Sequence, residues 1–93
     1  MMPRYYFHLH NDLATTDEEG RELDDIGAAR RAAEEDAREM AARSVQCHGH
    51  LDLGHYVEVT DEGGNSVVRV RFGEAVAIRG DRTYARTADL NPD

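Results

Sequence analysis

Polar and apolar residues alternate from the start of the chain. In Arg4-Tyr5-Tyr6-Phe7-His8-Leu9-His10, the residues Tyr5, Phe7 and Leu9 fall on one side and Tyr6, His8 and His10 on the other. A period of two marks a half-buried β-strand. Asn11-Asp12 is a turn signal, and Leu13 to Asp17 reads as a short second strand returning beside the first. Glu18-Glu19-Gly20 closes the next turn, where glycine accepts a positive φ.

The period then changes. Ile26, Ala29, Ala33, Ala37, Met40 and Ser44 recur at helical spacing, joined on the same side by Ala32, Ala41 and Val45. This predicts one long helix ending near Cys47. Asp24 or Asp25 is placed to accept hydrogen bonds from the unpaired N–H groups of its first turn. The opposite side carries Arg30–Glu34, Arg31–Glu35, Glu34–Arg38 and Glu39–Arg43, all spaced by four. The apolar stripe is mostly alanine, so the helix can lie close to a sheet whose bulk comes from Tyr5, Phe7 and Leu9.

Gly49 and Gly54 flank the loop that leaves the helix. His55 to Thr60 is the next strand, with Val57 and Val59 inward and Glu58 and Thr60 outward. Asp61-Glu62-Gly63-Gly64-Asn65 is a hairpin turn, and Ser66 to Phe72 pairs back. Val68, Val70 and Phe72 face inward there; Val67, Arg69 and Arg71 face outward. Ala75 to Ile78 adds a last turn or strand. The order β-(β)-α-β-β predicts an α+β fold: an antiparallel sheet of three or four strands with one long helix on one face. Residues 1–79 form this single domain, and 80–93 read as a polar, flexible tail.

Composition narrows the picture. Only 93 residues, 40% of them hydrophobic and twelve of those alanine, give a thin core: one sheet under one helix. No apolar run approaches a membrane span, and no charged-then-apolar leader is visible. A single cysteine, Cys47, rules out an internal disulfide and fits a reducing compartment. A cytoplasmic protein that does not bind membranes is expected. The net charge is −8, with seven acidic residues against Arg21 alone in 11–25. That balance opposes nucleic-acid binding, which is driven by neutralising phosphates.

Recognisable catalytic chemistry is missing. The acidic run 17–25 fails as a calcium loop, because with Gly20 at the sixth position Thr15 falls at the first and Ile26 at the twelfth, where carboxylates are needed. It reads instead as a solvated turn plus a helix cap. Cys47 beside His48 lacks the geometry of a nucleophile and its base, because adjacent residues rarely bring the two groups together. No phosphate loop, dinucleotide fingerprint or nucleophile elbow occurs. A non-enzymatic domain with no cofactor is therefore expected.

Two groupings remain. Cys47, His48, His50 and His55 are the residue types of a transition-metal site, without the paired spacing of structural zinc. The other grouping is the outer side of the sheet, where Arg4, Tyr6, His8, His10, Glu58, Arg69 and Arg71 should gather with Thr60. One helix leaves that side uncovered. Simple solvation with Glu58–Arg69 or Glu58–Arg71 pairs is one reading. A protein partner or self-association is the second, since tyrosine and arginine favour interfaces. Single-stranded nucleic acid stacked on Tyr6 is the third, and net charge opposes it.

The opening Met2-Pro3-Arg4-Tyr5-Tyr6-Phe7-His8, then Asp17-Glu18-Glu19-Gly20-Arg21-Glu22-Leu23 and the alanine-rich helix, resembles a family of short bacterial proteins of unknown function common in plant-associated bacteria. The likeness covers residues 2 to about 73, through the Val-Glu-Val-Thr-Asp-Glu hairpin. It implies no activity, cofactor or catalytic residue. In element order alone the chain is also similar to the HicB-type antitoxin domain, although no DNA-binding segment follows here.

Overall fold

The computed structural model describes residues 2–79; the tail expected at 80–93 lies outside them. The elements are β1 (Arg4–His10), β2 (Ala14–Thr15), β3 (Arg21–Glu22), α1 (Ile26–His48), β4 (Tyr56–Thr60), β5 (Ser66–Arg71) and a short turn of helix, α2 (Phe72–Ala75). The strands form one antiparallel sheet in the order β2-β1-β4-β5, with β3 also on β1. The fold is α+β, as the alternation of periods predicts.

The core lies between α1 and one side of the sheet. Tyr5, Phe7, Val57, Val59, Val68 and Val70 bury that side against Ala29, Ala33, Ala37 and Ala41, and Phe72 closes one end. Ala29, Ala33 and Ala37 are completely buried, so the helix backbone sits directly on the strands. Asp25 caps α1, its Oδ1 accepting the Ala28 N–H at 2.8 Å. Gly49 ends it in the left-handed conformation at φ 72° and donates to the Val45 carbonyl.

Several details depart from the sequence reading. The predicted strand at 13–17 shrinks to Ala14–Thr15, and Arg21–Glu22, given no element from the sequence, forms a fifth strand. Ile26 and Val45, placed on the buried stripe by spacing, are about half exposed. They sit near the two ends of α1, beyond the reach of a narrow sheet. Among the described residues, the ion pairs expected at spacing four along α1 are not closed. Arg38 instead donates to the Ala75 carbonyl at 3.1 Å, and Asp36 pairs with Arg21. Phe72 is buried as expected but starts α2 rather than ending β5.

Among the described residues β5 is one edge of the sheet, and it is blunted at both ends. A bulge shifts the register between Val59 and Thr60, and at the far end Glu74 Oε1 accepts the Arg71 N–H at 2.9 Å. Both devices limit pairing with another strand.

Candidate functional site

The side of the sheet away from α1 takes its layout from the register. Across β1 and β4, Tyr6 opposes Thr60, His8 opposes Glu58 and His10 opposes Tyr56. Across β4 and β5, Glu58 opposes Arg69 and Tyr56 opposes Arg71. At the other end of β1, Arg4 opposes Glu22 and pairs with it at 3.1 Å. Opposed side chains project to the same side. Arg4, Tyr6, His8, His10, Glu58, Arg69 and Arg71 therefore share one surface, together with Thr60. Tyr56 belongs there too and was missed; its parity with Glu58 and Thr60 was the signal.

This surface is a bonded layer rather than a set of loose solvated chains. His10 Nε2 lies 3.1 Å from Glu58 Oε1, and the His10 ring stacks on Tyr56 at 4.5 Å with planes 11° apart. The Arg69 guanidinium lies over the Tyr56 ring, 4.5 Å from its centroid. Cross-strand pairing of Glu58 with Arg69 or Arg71, expected from sequence, is thus replaced by His10–Glu58 and Arg69–Tyr56 contacts. The Ser66 hydroxyl beside Glu58 lowers its carboxyl pKa; desolvation opposes the shift, and His10 and Arg69 reinforce it.

His8 connects this layer to the acidic turn. Its Nδ1 accepts the Asp17 N–H at 3.0 Å, which puts the neutral ring's proton on Nε2, facing Thr60 Oγ1 at 3.0 Å. Asp17 then uses its carboxylate where β2 and β3 leave β1 unpaired. Oδ2 accepts the Phe7 N–H at 3.0 Å, and Oδ1 accepts those of Glu19 and Gly20 at 3.1 and 3.2 Å. Desolvation raises the Asp17 pKa, but the Phe7, Gly20 and Glu19 bonds and the nearby His8 outweigh it, leaving the carboxyl below its ordinary value. The expected solvated acidic turn is therefore, at Asp17, a structural clasp. Gly20 is needed beside it: at φ 72°, an added Cβ would come within 2.9 Å of the Tyr5 carbonyl and 3.0 Å of the Tyr6 ring.

The histidines at and beyond the end of α1 gather only in part. His48, His50 and His55 line a recess of about 320 Å³ with Asp12, Arg43 and Phe72. Cys47 is exposed and does not join them. His55 packs on the edge of Phe72 and faces Asp52 at 3.2 Å and Asp12 at 3.5 Å, while His48 and His50 stack on each other at 5.7 Å. Among the described residues, no three His, Cys, Asp or Glu side chains converge as a metal ion requires. No described helix is long and apolar enough to cross a membrane.

Fold and surface together define a small α+β domain whose sheet has one side sealed by a helix and the other presented as an ordered polar layer. The chain belongs to the family described as domain of unknown function DUF6894, whose model matches residues 4–73, from the start of β1 to just past β5. No curated protein and no solved structure matches it.

Proposed function

We propose that this domain is a non-enzymatic cytoplasmic module that works by protein contact through the outer side of its sheet, either with a second copy or as an accessory factor. One observation carries the reading. The side chains of His8, His10, Tyr56 and Glu58 are half-buried and held by hydrogen bonds and stacking, with Tyr6 half-buried on the same side, yet among the described residues no second layer lies over them. Side chains already fixed lose little further entropy when a partner covers them, which favours binding over simple solvation. Tyrosine and arginine are also the residue types that most often carry interface energy.

The test combines solution mass with capture from the native host. Wild-type protein is expected to associate, and the double change Tyr6→Ala with Arg69→Ala to abolish association while leaving the fold intact. A strictly monomeric protein that recovers no partner would overturn the proposal. A collapse of the fold in the double variant would show that this surface serves stability rather than contact.

A further inference from the structure

One corner of the outer surface is built beyond what solvation needs. Tyr56 has His10 on its β1 side and Arg69 on its β5 side, each 4.5 Å from the phenol ring. Because β1 and β5 flank β4 from opposite directions, the two groups cover opposite sides of that ring. A guanidinium laid on an aromatic ring loses little hydration and keeps its N–H edge directed outward, the geometry that matches a carboxylate. Arg71 stands opposite Tyr56 in the register and is exposed. Among the described residues, no carboxylate lies within salt-bridge distance of Arg69 or Arg71. The nearest acid in the register, Glu58, is engaged with His10 at 3.1 Å. Two guanidinium groups therefore face outward with neither closed into an ion pair among the described residues, in a chain of net charge −8.

We infer that this corner docks a carboxylate-rich segment of a protein partner. Arg69, held over the Tyr56 ring, takes one carboxylate through its paired N–H groups, and Arg71, about 7 Å along the strand, takes a second. This rests on the outer-surface contact reading and gives the partner its chemistry. Side chains carry the recognition. Addition of a strand at the β5 edge is disfavoured by the bulge and by the Glu74 cap on the Arg71 N–H. Single-stranded nucleic acid fits less well, because a base needs an open ring to stack on and both sides of Tyr56 are occupied.

The test uses the full chain, isotopically labelled for NMR and titrated separately with hexaglutamate, hexaglutamine and hexathymidylate. Hexaglutamate is expected to give saturable shifts confined to Tyr56, Arg69 and Arg71, including the Arg69 side-chain N–H; hexaglutamine should give none. Tyr56→Leu leaves every charge in place and is expected to weaken hexaglutamate at least fivefold, as is Arg69→Lys, which keeps the charge and lacks the planar fork. Preserved spectral dispersion certifies the fold of each variant. Unchanged affinity in both variants would reduce the corner to bare charge and overturn the inference, as would tighter binding of hexathymidylate. If hexaglutamate fails to bind while the protein still associates through Tyr6, this inference falls and the broader reading stands. If the protein neither associates nor binds, both fall.

Discussion

Tyr5 and Phe7 are buried against the alanines of α1, whereas Tyr6, His8 and His10, alternating with them on the same strand, are half-buried among polar neighbours. The inner residues are held by removal of apolar area from water and by close packing, forces that depend on shape and volume. The outer residues are held by directional contacts: His8 to Asp17 and Thr60, His10 to Glu58 and Tyr56. One strand thus joins a layer that fixes stability to a layer that fixes side-chain positions. The two should respond differently to substitution.

The sharpest way to break the inner layer is to empty it. Phe72 is one of the largest fully buried side chains, and Phe72→Ala is expected to cost about 3–5 kcal/mol through lost burial and an unfilled cavity. Urea denaturation of the variant against wild type measures this. A loss below about 1 kcal/mol would mean that the end of the core collapses around the gap. Adding volume is the complementary test. Ala33 is completely buried under the sheet, so Ala33→Leu should push α1 off the strands at a cost of about 1–3 kcal/mol. A neutral result would show slack between helix and sheet.

Asp17 stands between the two layers, because its carboxylate holds a core strand while its N–H holds His8. Asp17→Ala leaves the Phe7 N–H without its acceptor and is expected to destabilise the fold by about 1–2 kcal/mol. The pH dependence has a definite sign. The folded carboxyl titrates below its ordinary value of 3.8, so its stabilisation is complete above that value and fades as pH falls through the folded pKa. Wild-type stability should therefore drop below about pH 4, and Asp17→Asn should flatten part of that drop. Glu58 and Asp61 shift in the same direction, so the flattening is partial. An unaltered acid limb in the Asn variant would remove Asp17 from this role.

The contrast also explains which features could be read from the chain. The inner layer was legible because burial leaves a periodic trace: two for Tyr5, Phe7, Val57 and Val59, and close to four for the alanines of α1. Membership of the outer surface followed from the same parity. Its bonding did not, because a hydrogen bond to Asp17, nine residues away from His8, leaves no periodic mark. Nor does the exchange of an expected Glu58–Arg69 pair for an Arg69–Tyr56 stack. The strand at Arg21–Glu22 was hidden for a related reason: two residues carry no period, and its pairing to Arg4 and Tyr5 depends on the turn that Asp17 and Gly20 build. The ends of α1 misled in the opposite sense, since Ile26 and Val45 keep the helical spacing past the sheet they were expected to cover.

The smallest effect separates position from stability most cleanly. His10→Ala removes the imidazole that both stacks on Tyr56 and faces Glu58 on the partly solvated side. A half-buried pair of this kind contributes about 0.5–1 kcal/mol, so the melting temperature should move by only a few degrees. Its effect on the layer should be larger than that figure suggests. With one side of Tyr56 uncovered, the phenol gains rotamers and carries Arg69 with it. The measurable consequence is broadening or shifting of the Tyr56 ring and Arg69 side-chain N–H signals, with the core methyls of Val57, Val59 and Val70 unmoved. If those methyls move as far as the Tyr56 signals do, the two sides of the sheet are mechanically one unit and do not respond separately to substitution. If only the outer signals move, positional order on that surface is set locally, by stacking and hydrogen bonds that the buried side does not supply.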